Sequence, residues 1–213
     1  WPEGVFSGYS YDEIFLLQEK FSRNFKESHY ILFGINRADE KQQGFYNSMI
    51  IVNNRLEIIK EYKKQKLVPF GEFLPFEKKL NKFGIKKITE GYGSFLKGKN
   101  QKNLVIDNLN ILPLICYEII FTNFIKYSDE NTNLIINISE DGWFGDSIGP
   151  YQHFAKAIFR AVEQNSFLIR SANQGISAII DNKGIIVKRL NIKEAGVIEL
   201  EVPLIKSKRK NKN

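Results

Sequence analysis

Cys116 is the single cysteine of this 213-residue chain. It stands in the order Ile115-Cys116-Tyr117-Glu118, where the apolar run Ile111 to Ile115 gives way to a helical pattern. A thiol on a strand-to-helix turn faces unpaired N–H groups, which favour the thiolate and can hold an oxyanion. The same position also suits a small buried apolar residue, the ordinary fate of an unpaired cysteine. Two histidines are candidates for a Cys–His pair, but His29 opens a strand and His153 lies within an amphipathic helix beside Phe154. Both read as structural. Carboxylates are the other activators. Glu3 follows Trp1-Pro2, where proline stiffens the backbone and the indole can shield a carboxylate from water, as a general base requires. Lys64 and Glu72 lie in the segment Tyr62-Lys63-Lys64-Gln65-Lys66-Leu67-Val68-Pro69-Phe70-Gly71-Glu72, which runs into an apolar, proline-punctuated loop. A cation held under such a loop can bind a developing oxyanion, whereas the bland alternative for each of these groups is a solvated surface charge.

Positioning these residues requires a mixed set of elements. Ser10 and Glu13 have capping-box spacing and open a helix whose apolar stripe is Ile14, Leu17, Phe21 and Phe25. His29 to Asn36 reads as a buried strand. Ser48 to Val52 and Leu56 to Ile59 read as a hairpin about Asn53-Asn54. Asn103 to Asp107 and Ile111 to Ile115 predict two more strands, followed by a helix with Ile120, Phe124 and Tyr127 on one face. Leu134 to Ile138 is a strand ending in the polar loop Ser139 to Gly149. The next helix repeats Phe154, Ala157, Ile158, Ala161 and Val162 at helical spacing. Phe167 to Arg170, Ile176 to Ile180, Ile185 to Leu190 and Val197 to Val202 predict the closing strands, with a turn at Asp181 to Gly184. Lys78 to Lys102 reads as a long surface excursion. Strands and helices alternate in the middle while hairpins flank them, which predicts an α/β or α+β layered sandwich.

Composition narrows the function. Hydrophobic residues at 43% and charged residues at 26% describe a globular chain and not a disordered one. No apolar run approaches the roughly 18 residues of a spanning helix. One cysteine cannot close an internal disulfide, and with two histidines it leaves little for a metal cage. Of the net charge of +7, five units belong to Lys206, Lys208, Arg209, Lys210 and Lys212, leaving +2 for the rest. The basic character is a tail property, and nucleic acid is not an expected partner.

A Glu, a Lys and a Cys in this chain order and in these contexts resemble the nitrilase superfamily of carbon–nitrogen hydrolases. Trp1-Pro2-Glu3, Tyr62 to Glu77 (YKKQKLVPFGEFLPFE), Ile115-Cys116-Tyr117-Glu118, Asn137 to Phe154 (NISEDGWFGDSIGPYQHF) and Arg160 to Asp181 are similar, more closely, to the extracytoplasmic domain of the bacterial apolipoprotein N-acyltransferases. The resemblance spans nearly the whole chain. LVPFGEFLPFE and DGWFGDSIGPYQHF are its specific part and separate the acyltransferases from soluble relatives.

The resemblance implies an α-β-β-α fold over residues 1–205, without the family's first strand, and a basic tail at 206–213. It also implies a longer parent anchored by flanking helices in the inner membrane, with this domain on the extracytoplasmic face and acting as a monomer. Carried over by position, Glu3 is the general base, Lys64 (three residues before Leu67) the oxyanion-holding cation and Cys116 the acyl-accepting nucleophile. Glu72 orients the lysine, and Glu118 is a further functional carboxylate. Tyr117 and Trp143, with Phe144 and Phe70, border the substrate pocket. The implied donor is a phospholipid, the implied acceptor is the terminal amine of a diacylated apolipoprotein, and the implied chemistry requires no metal or organic cofactor. A soluble amidase using the same three residues, and a non-enzymatic module binding lipid or nucleic acid through the tail, are the competing readings. The expectation that decides most is that Glu3, Lys64 and Cys116 converge, with Glu72 beside Lys64.

Overall fold

A computed structural model describes residues 1–6, 8–75, 94–100, 103–126 and 128–205. Two short helices, α1 (Tyr11–Phe15) and α2 (Gln18–Asn24), precede a three-stranded antiparallel meander of β1 (Ile31–Asp39), β2 (Gly44–Val52) and β3 (Ile58–Lys63). A second sheet has the order β4 (Leu104–Ile106), β5 (Leu109–Ile115), β6 (Leu134–Glu140), β7 (Phe167–Asn173), β8 (Ser177–Ile180) and β9 (Ile186–Leu190). Its centre, β5-β6-β7, is parallel, and its flanks are antiparallel. The parallel crossovers pass through a 3-10 turn at Cys116–Ile120 with α3 (Thr122–Lys126), and through a 3-10 turn at Asp141–Phe144 with α4 (Gly149–Gln164).

Strand parity builds four layers. On β2, Ile50 and Val52 face outward and are covered by Ile14 and Phe21 of α1 and α2. Met49 and Ile51 face inward and join Tyr62 against Ile111, Ile115, Leu134 and Ile138 of the second sheet. On that sheet's outer face, Leu112, Leu114, Ile135 and Leu168 meet Phe154, Ala157 and Ala161 of α4. The α-β-β-α sandwich expected from the sequence is the observed architecture. Strands buried on both faces explain why β2 and β5 read as apolar runs without alternation.

Several elements differ from their sequence reading. The N-terminal helix keeps its capping box, with Ser10 and Glu13 bonding reciprocally, but breaks at Leu16 and Leu17 into two pieces. Ile14 and Phe21, one from each piece, are both buried against the first sheet. In the β2–β3 connection the left-handed residue is Leu56 and not an asparagine. Asn53 instead uses its side-chain oxygen to accept from Arg55 and Glu57 N–H. The helix expected after Cys116 is a 3-10 turn followed by a single α-helical turn. Val197 to Val202 forms no strand, although Ile198, Leu200 and Val202 still pack on the inter-sheet core. Most of the excursion 78–102, Tyr127 and the basic tail 206–213 lie outside the described residues.

Candidate active site

Glu3 is placed by the free edge of β1. The Trp1 amino group donates to the Leu32 carbonyl at 2.8 Å and Gly34 N–H donates to the Pro2 carbonyl at 3.3 Å. Gly34 permits this approach, because a Cβ there would stand 2.3 Å from the Glu3 carbonyl oxygen. The indole of Trp1 does not shield the Glu3 carboxylate. It packs among Phe6, Phe21, Phe25 and Phe33 on the helical side. The Glu3 carboxylate sits instead among polar donors, accepting from Asn47 Nδ2 at 2.6 Å, Lys64 Nζ at 3.3 Å and Glu140 N–H at 2.9 Å.

Lys64 follows the last residue of β3 and is 1% exposed. Its N–H donates to the Asn47 carbonyl and its carbonyl accepts from Gly98, so the backbone is held on both sides. Its Nζ lies 2.8 Å from Glu72 Oε1 and 3.3 Å from Glu3 Oε1. Burial opposes the ammonium charge, but the Glu3 and Glu72 carboxylates outweigh it and hold Lys64 protonated. Glu72 lies where the sequence places it: its second oxygen accepts from Val68 N–H at 2.8 Å, closing the turn around Phe70. Sequence reasoning missed Asn47, which donates to Glu3 at 2.6 Å and to Glu72 at 2.9 Å. The available signal was a lone amide in a strand buried on both faces, which must find partners.

Cys116 follows the last residue of β5 and opens the 3-10 turn in a left-handed conformation, φ 47°. Burial and the Glu3 charge push its thiol up to about 12, against the opposing pull of Lys64 and a hydrogen bond with Ser139. The resting sulfur is therefore a thiol that needs a base. The expectation that helix N–H groups depress it is not met: burial and the Glu3 charge dominate, and a five-residue 3-10 turn stands where the helix was expected. Behind the thiol lies a buried polar cluster. Ser139 Oγ donates to Asp141 Oδ1 at 2.7 Å, and Arg170 Nη2 donates to Asp141 Oδ2 at 2.7 Å. Arg170 also bonds Asn137. His153 sits between Asp141 Oδ1, at 2.9 Å, and the Cys116 carbonyl, at 3.1 Å. Burial would raise the Asp141 carboxyl, but the His153 hydrogen bond and the Arg170 charge override it and lower it to about 2.

Glu118 is fully buried and accepts from Tyr62 Oη, from Ile115 N–H at 2.9 Å, and from Gln65 and Lys66 N–H at 2.6 and 3.0 Å. Burial pushes its carboxyl up to about 7 despite these donors and the Lys64 charge. It ties the segment after Lys64 to the turn that carries Cys116. Among the expected substrate-binding aromatics, Trp143 is 67% exposed and Phe70 44%, so neither is a core residue. Phe144 stacks on His153, and Tyr117 is half-buried, edge-on to Phe121. Phe76 lies outside the described residues. No group of three or more metal-ligating side chains occurs among the described residues.

A base, a cation and a thiol brought from three distant segments can support nucleophilic attack on an acyl carbon with charge held on its oxygen. Known proteins resemble the chain both in sequence and in fold. It is 44% identical over 177 residues to an apolipoprotein N-acyltransferase of Rhizobium leguminosarum bv. trifolii, covering 81% of this chain and 33% of the relative. It is 37% identical over 209 residues to one of Rhodopseudomonas palustris, covering 95% of this chain and 39% of the relative. The chain thus spans about a third of the length of the curated relatives it matches. In fold it is similar to a nitrilase-superfamily protein of Saccharomyces cerevisiae, with a TM-score of 0.64 at 19% identity, over 91% of this chain and 72% of that one. The carbon–nitrogen hydrolase family pattern matches residues 1–209, and the chain belongs to that family of enzymes.

Proposed function

We propose that this domain transfers a fatty acyl chain from a phospholipid, through a Cys116 thioester, to the terminal amine of a diacylated apolipoprotein. The carrying observation is Lys64, buried and gripped between Glu3 and Glu72, whose charge with that of Glu3 acts on the Cys116 sulfur. Glu3 takes the thiol proton as sulfur attacks the ester carbonyl, and Lys64 stabilises the oxyanion. Collapse expels the lysophospholipid alkoxide, which receives the proton from Glu3, and leaves the thioester. The acceptor amine then attacks the thioester carbon. Glu3 relays the amine proton to the departing thiolate, and the amide product leaves with the enzyme restored. Glu72 holds Lys64 in line throughout, and Glu118 holds the two segments in register.

The similarity to apolipoprotein N-acyltransferases favours this substrate class over a small amide. So does the exposed apolar surface of the site-bearing segments, where Phe70, Trp143, Phe144, Ile148 and Tyr151 are all exposed. Such a surface suits contact with acyl chains at the extracytoplasmic face of the inner membrane. No helix among the described residues is long and apolar enough to cross a bilayer.

Intact-protein mass spectrometry of the full-length protein in phospholipid tests the first step. We expect a fatty-acyl adduct that hydroxylamine removes and that Cys116→Ala abolishes. An adduct persisting in the alanine variant would contradict the assigned nucleophile. No adduct, together with turnover of small amides, would favour an amidase.

A further inference from the structure

We propose that His153 is a positioning residue for the nucleophile, fixing through the Cys116 carbonyl the left-handed backbone that aims the thiol. The inference rests on the reading of Cys116 as the acyl-accepting thiol. A non-glycine residue at φ 47° is strained, and such a conformation persists only where its surroundings over-determine it. Cys116 is held from both sides. Before it, Ile115 N–H donates to Glu118 Oε2 at 2.9 Å. After it, the Cys116 carbonyl stands 3.1 Å from His153 Nε2. A carbonyl only accepts, so Nε2 carries the proton and donates it.

The ring itself cannot drift. Asp141 Oδ1 lies 2.9 Å from Nδ1, and Asp141 is anchored by Arg170 and Ser139. His153 is 5% exposed and capped by Phe144. These residues come from β6, the turn after it, α4 and β7. The outer helical layer therefore reaches around the end of the sheet to grip the nucleophile's own peptide. These groups contact Cys116 and one another, so their action on the reaction passes through Cys116. Ser139 adds a second link, because it bonds both the thiol and Asp141.

The test compares His153→Leu, which removes the donor, with His153→Gln, whose amide returns an N–H near the place of Nε2. Two rates are read in the full-length protein: alkylation of Cys116 by iodoacetamide, which needs no substrate, and acyl-enzyme formation from phospholipid. For the Leu variant both should fall by about 10- to 100-fold, as small misplacements of a reacting group do. The KM for phospholipid should stay within about threefold, because ground-state binding is untouched. The Gln variant should recover at least about tenfold of the loss, the worth of one well-placed donor. Equal rates in Leu and Gln, or wild-type rates in Leu, would overturn the proposal. Should the Leu variant fail to fold, His153→Asn, whose shorter amide cannot reach the carbonyl, takes its place. Gln must then exceed Asn by the same factor, and equality would overturn the proposal. If alkylation separates the variants while the wild-type protein never acylates from phospholipid, the positioning role stands and the acyltransferase reading falls.

Discussion

Asn47 carries one amide between two carboxylates that both press on Lys64. Each of its two N–H bonds serves a different carboxylate, which keeps Glu3 and Glu72 apart and turned toward the ammonium. Asn47→Leu should therefore cut acyl-enzyme formation by about 10- to 100-fold and lower stability by about 1–3 kcal/mol, as loss of a buried donor to charged groups does. Single-turnover acylation and thermal melts would read both, and an unchanged rate would remove Asn47 from the site. Asp141 gives a second residue-scale prediction. Its carboxyl titrates near 2 when folded against an ordinary 3.8. As pH falls the unfolded chain takes up this proton first, so stability present above pH 4 is lost between about pH 4 and 2. The shift corresponds to about 2 kcal/mol. Melts across that range should show a shallower decline in Asp141→Asn than in the wild type, and identical slopes would refute the linkage. The grouping of Glu3 and Glu72 about Lys64 was readable from the motifs, because each motif fixes chain context and chemistry together. Asn47, Ser139 and the His153–Asp141–Arg170 cluster were not. Their roles depend on which buried partner the fold supplies, and a single polar letter in an apolar strand does not name it.

At the scale of elements, the edge of β1 sets the position of Glu3, the proposed general base. Gly34→Ala would place a methyl group 2.3 Å from the Glu3 carbonyl oxygen, so the Trp1–Glu3 segment must move. A displacement near 1 Å of a reacting group can cost about 100-fold. We expect acyl-enzyme formation to fall by about that factor, with β1 and β2 still paired and the melting temperature lowered only modestly. A rate within twofold of wild type would mean that β1 does not position Glu3. Strand identity and order of elements were legible, since apolar runs bounded by polar turns mark buried strands. Element ends were less so. The helix after Cys116 was over-read because Ile120, Phe124 and Tyr127 have helical spacing, yet the buried Glu118 accepts Ile115 N–H and tightens the start into a 3-10 turn. Val197 to Val202 buries alternate apolar residues like a strand and lacks only a hydrogen-bonded neighbour, which alternation cannot reveal.

At the scale of the molecule, the reacting set is divided between the two sheets. Glu3, Asn47 and Lys64 belong to the first sheet and its edges, while Cys116, Ser139 and Glu140 stand at the carboxyl ends of parallel β5 and β6. Glu3 accepts from Glu140 N–H, and Glu118 accepts from Gln65 and Lys66 N–H, so hydrogen bonds cross between the layers at the site. The layered core thus sets the distance between base, cation and sulfur, and the exposed aromatics lie on segments that leave the same sheet ends. A thioester formed there must be kept from water until an amine arrives. The deciding measurement is the fate of that acyl group. The full-length protein is loaded from phospholipid, separated from excess lipid and given a diacylated lipopeptide with a free α-amine. The adduct should pass to the peptide in equal amount, and its decay should accelerate as peptide is added. Release of free fatty acid at the same rate with and without peptide, with no N-acyl peptide formed, would contradict the account and identify a hydrolase.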